Sequence, residues 1–236
     1  GIYTKTFNFS GYIEIKTNLL EIERLLIDNT TIKNLKIYGD LTLIISNAEG
    51  IFTSSPLPST YYLYFDGFDD YVEAPNVLKQ RSFTIQLWIK LNKPQKSSIL
   101  DSRNTLFINR GKGFVIEDGD GDGKYSVGIG DGSQYVWSRE VIDLSDLKWH
   151  NVAVSVNSSK MYIYMDGFLR ESIDISNLTH SISGSDTLEI GKGLAGYLNG
   201  CIGSVLIYNR PCTPEEIIVN IFSSYEPIRT GLVIMY

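Results

Sequence analysis

The strongest pattern in the chain is the alternation of apolar and polar positions between residues 148 and 169. Apolar residues recur at every second position over 152–156 and again over 161–165, which places each set on one face of a strand. The polar stretch between them is typical of a turn, and Asp166-Gly167 is typical of a second tight turn. The pattern predicts an antiparallel hairpin, with Trp149 at the edge of the core, against which the other elements pack.

Further strands are predicted between residues 61 and 212, where no helical period is sustained. The alternation over 83–91 indicates a core strand. The remaining predicted strands are a pair within 61–72 that crosses the Asp66-Gly67 turn, a strand over 99–109 containing Leu106 and Ile108, two strands (114–117 and 125–129) around a Gly/Asp-rich turn, and a strand over 135–141.

The chain divides into three parts. Residues 1–58 form a small β-rich unit, a stalk, a collar or the end of a preceding module, with a hairpin predicted around Gly39-Asp40. Residues 59–226 form the main domain, in which Thr213-Pro214 predicts the start of a short helix that ends near residue 222. Residues 227–236 are apolar and β-like, so they add to a sheet or begin a further module.

Five short motifs, taken in order, resemble the laminin-G-like branch of the concanavalin A-like lectin/glucanase superfamily. They are LYFDGFDDYV at 63–72, SFTIQLWI at 82–89, the W-H-x-V-A motif at 149–153 with its Y-x-D-G strand end at 164–167, LEIG at 188–191, and LNGCIGSVLIYNR at 198–210. The resemblance implies an all-β fold: a concanavalin A-like jelly-roll β-sandwich of two antiparallel sheets, here preceded by the small β-rich N-terminal unit. Members are mostly binding and adhesion modules, with some glycosidases among more distant relatives.

Composition narrows the functional classes. The formal charge is −6 and Lys and Arg are scattered, so a nucleic-acid partner is not expected. No run of 18 apolar residues occurs, so membrane insertion is not expected. Four N-x-S/T sequons favour an extracellular, cell-surface or virion-surface location, although a turn-rich composition also produces them. They begin at Asn8, Asn29, Asn157 and Asn177.

The two cysteines lie on either side of a predicted strand. Cys201 and Cys212 are eleven residues apart, which is about 36 Å of extended chain. A disulfide needs Cα atoms within roughly 7 Å, so the two should not pair. We expect both to be buried small apolar residues.

One acidic turn has the spacing of a calcium loop. Asp118, Asp120 and Asp122 form D-x-D-x-D-G, with glycines that let a loop wrap a hard cation. The twelfth position is Ile129, which lacks the bidentate carboxylate of an EF-hand. The alternative interpretation is a solvated Gly/Asp turn without metal.

The resemblance implies two other calcium sites. One lies at a sandwich rim and would use Asp131 with Asp186 or Asn177. The other lies between the F-D-G turn and the start of the last strand. Asp66 is present there, but the usual I-D-D is replaced by Ile202-Gly203-Ser204.

Aromatic residues are the candidates for ligand binding, because Tyr and Trp present a flat apolar face with a polar edge to a sugar ring. They could instead be ordinary residues of the outer strand faces. The candidate residues are Tyr125, Tyr135 and Trp137 near the loop end of the sandwich, and Trp88, Tyr162 and Tyr164 in the register opposite the aliphatic positions.

Catalytic signatures are weak. The E-x-D-x-x-E strand that glycosidases of this fold use does not occur, and His150 is expected to pack or cap. The sequence therefore predicts a non-catalytic carbohydrate-binding or adhesion module, assisted by Ca²⁺, whose partners are glycans or glycosylated surface proteins. The alternative is a structural virion, tail-fibre or surface-filament subunit that contacts copies of itself or other subunits. A glycoside hydrolase is a minor alternative.

Overall fold

A computed structural model describes residues 62–222 and 227–235, together with the backbone of four short strands nearer the N-terminus. The chain divides into two compact units, residues 1–56 and 57–236, close to the predicted boundary at residue 58. In the part of the chain that the structure describes, no helix is long and apolar enough to cross a membrane.

The N-terminal unit contains two parallel strand pairs. Strand β1 (Leu25–Asp28) pairs with β3 (Leu43–Ser46), and β2 (Lys33–Leu35) pairs with β4 (Ile51–Phe52). The predicted antiparallel hairpin is therefore wrong, because β3 pairs with β1 and not with the preceding strand. Alternation shows which side of a strand is apolar but not which strand is its partner. Residues 39 and 40 themselves lie outside the described residues.

The second unit is a sandwich of two antiparallel sheets, which confirms the predicted fold class. Its elements are β5 (Leu63–Asp66), β6 (Val72–Pro75), β7 (Phe83–Leu91), β8 (Ser97–Asp101), a 3₁₀ turn (Phe107–Asn109), β9 (Lys112–Asp118), β10 (Lys124–Asp131), β11 (Tyr135–Trp137), β12 (Ile142–Asp143), β13 (His150–Val156), β14 (Lys160–Met165), β15 (Phe168–Asp174), β16 (Thr187–Ile190), β17 (Lys192–Gly193), β18 (Gly196–Tyr197), β19 (Asn199–Tyr208), α1 (Pro214–Phe222) and β20 (Leu232–Met235).

Two seven-stranded sheets form the layers. Sheet I has the order β11-β10-β9-β8-β16-β6, with β12 also on β10. Sheet II has the order β15-β14-β13-β7-β19-β20, with β5 also on β19. The predicted hairpin is confirmed, because β13 and β14 are antiparallel neighbours with Val154 opposite Ile163. The predicted core strand over 83–91 is confirmed as β7.

The core lies between the two sheets. Alternate residues of β7 point into it from sheet II, and alternate residues of β9 point into it from sheet I. The rings of Phe83 and Phe114 meet edge to face across this layer, with centroids 5.2 Å apart. Burial of such side chains stabilises the fold by roughly 1.5–3 kcal/mol each.

The outer face of sheet II is covered by α1 and by the C-terminal segment. Ile217 of the helix packs with Tyr164 and Tyr208 of the sheet. The predicted helix start is confirmed: the Glu216 backbone N–H donates to the Thr213 hydroxyl, and the Thr213 N–H donates to the Glu216 carboxylate. The tail strand β20 pairs with β19, so it extends this sheet.

Two strand predictions are wrong. The segments on either side of Asp66-Gly67 do not pair, because β5 joins sheet II and β6 joins sheet I. The predicted strand over 99–109 ends at residue 101, and the chain then leaves the sheet. In both cases the path of the backbone is set by contacts distant in sequence.

The cysteine prediction is confirmed. Cys201 and Cys212 are both buried and both carry free thiols. Burial raises the pKa of each thiol above its ordinary value.

Candidate ligand-binding face of sheet I

Three aromatic side chains form a cluster on the outer face of sheet I, called here the aromatic rim: Phe107, Tyr135 and Trp137. The rings of Phe107 and Tyr135 are nearly parallel, with an interplanar angle of 16° and centroids 6.1 Å apart. Trp137 lies 5.4 Å from Phe107, centroid to centroid. Phe107 is buried, whereas 48% of Tyr135 is exposed. The arrangement is a rigid aromatic base that presents a tyrosine to solvent.

Glycines of β10 create the space for this cluster. A Cβ atom on Gly130 would lie 2.7 Å from the Phe107 ring, and one on Gly128 would lie 2.7 Å from Trp137. Any larger residue would push the aromatic rings off the sheet. The pattern V-G-I-G at 127–130 thus alternates core residues with positions that must have no side chain.

A buried ion-pair network lies beside the rim. Arg103 donates to both carboxylate oxygens of Asp101, from Nε at 3.0 and 3.1 Å and from Nη2 at 2.6 Å, and its Nη2 also donates to Glu117. Its guanidinium lies over the rings of Phe107 and Trp137, at 5.5 and 6.0 Å from their centroids. Burial lowers the pKa of Arg103, but its two acidic partners outweigh burial and raise it. The network fixes the position of the rim.

The network was missed at the sequence level. Asp101 and Arg103 are two residues apart, but Glu117 reaches them from the neighbouring strand β9. The only local signal was an Asp-x-Arg sequence at a strand end. Arg103 Nη2 donates to both carboxylates, so the guanidinium bridges the two acids.

The aromatic residues predicted to bind a ligand lie in different places in the structure. Tyr135 and Trp137 share the outer face of sheet I, as just described. Tyr125 points into the core, where its hydroxyl lies 2.8 Å from Ser97 Oγ, so it cannot stack on a ligand. Its register on β10 is that of the core residues Val127 and Ile129.

The other three aromatics lie on sheet II. Trp88 and Tyr164 are buried, and Tyr162 is half-buried against the cluster beneath the helix. Their predicted register, opposite the aliphatic positions, is correct. The interpretation of Trp88 and Tyr164 as exposed ligand-binding residues is wrong, because that face is covered.

The acidic turn between β9 and β10 brings Asp118, Asp120 and Asp122 together, with one carboxylate oxygen from each within 4.8 Å of the others. Asp118 is fully buried and accepts backbone N–H bonds from Asp120, Gly121 and Gly123 at 3.2, 2.6 and 2.7 Å. Asp122 lies 3.3 Å from Lys124 Nζ. These bonds satisfy Asp118 and pair Asp122 within the turn, and the calcium site at this turn stays a prediction.

Asp131 holds two loops together. One of its oxygens accepts N–H bonds from Ser133 and Gln134, and the other accepts them from Thr179 and His180. Burial would raise the pKa of Asp131, but these four bonds outweigh it and hold the pKa well below its usual range. Its oxygens therefore have a structural role.

The implied rim site joining Asp131 to Asp186 is not among the acidic clusters of the described residues. A second cluster does form, from Asp66, Asp69 and Asp70 at the turn between the sheets. Asp66 accepts an N–H bond from Phe68 at 2.8 Å, and Asp70 accepts one from Asp66 at 3.2 Å. The carboxylates of this second cluster together accept fewer backbone N–H bonds than Asp118 alone accepts. The resemblance indicated Asp66, but its neighbours were not singled out.

His150 lies between two carboxylates. Its Nδ1 is 2.8 Å from Asp166 Oδ2, and its Nε2 is 2.9 Å from Asp146 Oδ1. Asp166 also accepts the Asn151 backbone N–H at 2.9 Å. The imidazole thus ties the loop before β13 to the turn after β14, which is the packing or capping role expected from the sequence.

Comparison with known proteins agrees with this architecture. The profile described as "Concanavalin A-like lectin/glucanases superfamily" matches residues 65–218. No curated protein matched at a significant level.

Several solved structures share the fold. A heptameric SAP-like pentraxin from Limulus polyphemus has a TM-score of 0.54 and 16% identity over 72% of this chain and 85% of its own. The binding domain of botulinum neurotoxin serotype G has a TM-score of 0.54 and 14% identity, over 68% of this chain and 42% of its own. Domains LG4-5 of the mouse laminin α1 chain have a TM-score of 0.50 and 14% identity, over 69% of this chain and 45% of their own.

The chain thus spans less than half of the toxin and laminin structures it matches. Identities at this level show a shared fold. With the profile match over most of the sandwich, they establish that the chain belongs to the concanavalin A-like lectin/glucanase superfamily, as a laminin-G-like domain.

Proposed function

We propose that this protein is a non-catalytic binding module that recognises glycans of surface molecules through the aromatic rim. The observation that carries the proposal is the exposed Tyr135, held over the buried Phe107 ring and beside Trp137. An aromatic ring fixed in this way presents an apolar face and a polar edge without losing side-chain freedom on binding. Glu117, partly exposed beside the rim, supplies a carboxylate for sugar hydroxyls.

The comparisons support a binding role in general terms. The similar structures include a botulinum neurotoxin binding domain described in complex with rat synaptotagmin II, with 21% identity to this chain. They also include the pentraxin and the laminin domains. Arg103 lies between Asp101 and Glu117, which supports a non-catalytic role over a glycoside hydrolase.

A glycan array tests the proposal. The wild-type protein should bind a subset of glycans, and Tyr135→Ala should bind them about fivefold to tenfold more weakly, as expected for the loss of one aromatic contact. Phe168→Ala is the matched control, because Phe168 is equally exposed (49%) but lies on β15 of sheet II. An array without any bound glycan, or equal losses in both variants, would contradict the proposal.

Calcium assistance is part of the proposal, and the cluster of Asp66, Asp69 and Asp70 fits the cation better than the 118–122 turn does. Hard carboxylate oxygens are the ligands calcium prefers. The array should be run with calcium and with chelator. Binding that is unchanged by chelator would leave the glycan proposal intact and would exclude calcium assistance.

An extracellular or surface location completes this proposal. Asn177 begins a sequon on an exposed loop of the sandwich. Mass spectrometry of the protein expressed in secreting eukaryotic cells would test it, with a hexose-containing mass on the Asn177 peptide as the expected result. A fully secreted protein without this modification would remove this support.

We propose a structural subunit as the second candidate, on account of the N-terminal unit. Both of its strand pairs are parallel: Leu25 lies opposite Leu43 and Lys33 opposite Ile51, each 18 residues further on, and the second pair then shifts register to place Leu35 opposite Phe52. Parallel pairs that begin at the same offset resemble solenoid repeats, whose open edges pair with further strands. Analytical ultracentrifugation should show concentration-dependent assembly, and a strict monomer would contradict this candidate.

A further inference from the structure

Two large apolar side chains are exposed to solvent at the end of one loop. Ile108 is 79% exposed and Leu106 is 45% exposed, and together they are called here the apolar tip. Single exposed apolar residues are common, but two on either side of a buried anchor need an explanation. The residue between them, Phe107, is buried against the glycines of β10.

The loop that carries the tip is closed by hydrogen bonds. The Asn104 N–H donates to the Lys112 carbonyl at 3.2 Å, and the Lys112 N–H donates to the Asn104 side chain at 2.9 Å. Within the loop, the N–H groups of Asn109 and Gly111 both donate to the Leu106 carbonyl. The backbone therefore holds the apolar tip outward while Phe107 anchors the loop from below.

The charged residues of the segment that carries the tip are all basic. The segment 102–112 contains Arg103, Arg110 and Lys112 and no acidic residue, in a chain with a net charge of −6. Arg103 is neutralised by its buried acids, which leaves Arg110 exposed and Lys112 half-buried next to the tip. Asp131, on the adjacent loop, is buried and bonded to four backbone N–H groups.

We propose that this loop docks on an anionic lipid surface, with Leu106 and Ile108 entering the headgroup region and Arg110 and Lys112 contacting lipid phosphates. A protruding pair of aliphatic residues is too small for a stable protein interface, which needs about 800 Å² per partner. Shallow burial of apolar side chains, assisted by neighbouring cations, is how peripheral proteins bind anionic bilayers. The contact is peripheral and requires no spanning segment.

Co-sedimentation of the full chain with vesicles tests the proposal. The wild-type protein should bind phosphatidylcholine vesicles that contain phosphatidylserine, and should bind pure phosphatidylcholine more weakly. Ile108→Asp should weaken binding to the anionic vesicles by about tenfold or more, because a carboxylate replaces the aliphatic side chain that enters the headgroup region. Arg110→Asn should weaken it about fivefold, since Asn tolerates the left-handed backbone that Arg110 adopts (φ 61°).

Phe168→Asp is the control variant, because Phe168 is an exposed apolar residue on sheet II. It should leave vesicle binding unchanged. Failure of the wild-type protein to bind anionic vesicles, or equal binding by Ile108→Asp, overturns the proposal. A wild-type oligomer that Ile108→Asp dissociates in ultracentrifugation also overturns it, because a second copy would then cover the tip. The vesicles contain no sugar, so the outcome is independent of the glycan array.

Discussion

The ring of Phe107 packs directly on Gly130, so closely that a Cβ atom at position 130 would lie 2.7 Å from it. This contact sets the position of the aromatic rim and also the direction of the apolar tip. The two proposed surfaces thus depend on one close approach between a loop and a strand.

Gly130→Ala should lower the free energy of unfolding by about 1–3 kcal/mol, because the added methyl overpacks the site against an aromatic ring and backbone. Chemical denaturation measures the change. Gly119→Ala is the control, since a Cβ atom there meets nothing within 4 Å, and it should be nearly neutral. Equal effects of the two substitutions would show that Phe107 is not held by this contact.

Arg103→Met should destabilise the protein by about 3–5 kcal/mol, because it leaves the buried Asp101 carboxylate without its partner. Arg139→Met removes the exposed pair with Glu171 and should cost less than about 1 kcal/mol. Denaturant unfolding of both variants checks the prediction. Equal costs of Arg103→Met and Arg139→Met would mean that the buried ion pair is not the cause.

The His150 cluster predicts a dependence of stability on pH. Burial lowers the pKa of His150, but Asp166 and Asp146 outweigh burial and raise it above its ordinary value of about 6.5. Because the pKa is raised in the folded state, the contribution of His150 to stability is fully present below the unfolded-state pKa. It is lost as pH rises through the folded-state pKa. The free energy of unfolding of the wild type should therefore exceed that of His150→Gln by more at about pH 5.5 than at about pH 9. NMR titration of the imidazole, in wild type and in Asp146→Asn, checks the cause: a pKa unmoved by Asp146→Asn would contradict it.

Calcium should raise the melting temperature if the turn between the sheets holds the ion, because a ligand bound by the native form alone stabilises it. Asp69→Asn should remove that increase, and Asp120→Asn should keep it. Asp118→Asn should destabilise the protein with or without calcium by about 1–3 kcal/mol, because the amide has one acceptor oxygen for three N–H donors. A calcium shift lost in Asp120→Asn and kept in Asp69→Asn would reassign the site to the 118–122 turn.

The sequence predicted the features whose causes are local. The β13–β14 hairpin follows from strict alternation around a polar turn, and α1 begins at Thr213 because its capping residues are adjacent in sequence. The all-β class and the free cysteines follow from the same kind of reasoning.

Features that depend on distant partners were not predictable from these patterns. The chain crosses between sheets at Asp66-Gly67 because β5 and β6 have different partners, and alternation is the same in either sheet. Tyr125 shares the register of Val127 and Ile129 and so points into the core, whereas the outward position of Tyr135 depends on the pairing of β11 with β10. Leu106 and Ile108 alternate as strand residues would. The residue between them, Phe107, packs on the glycines of β10 instead, so Leu106 and Ile108 are exposed to solvent.

Strand β19 pairs along one edge with both β5 and β20: Asn199 to Ile202 lie opposite β5, and Leu206 to Tyr208 lie opposite β20. The first and last strands of the sandwich therefore run end to end, with Met235 and Leu63 opposite β19 residues that are four positions, or roughly 13 Å, apart. A short peptide linking 235 to 63 would close this edge into one continuous strand. New chain ends could then be opened at an exposed turn such as 157–160, giving a circular permutant that retains the same sheets.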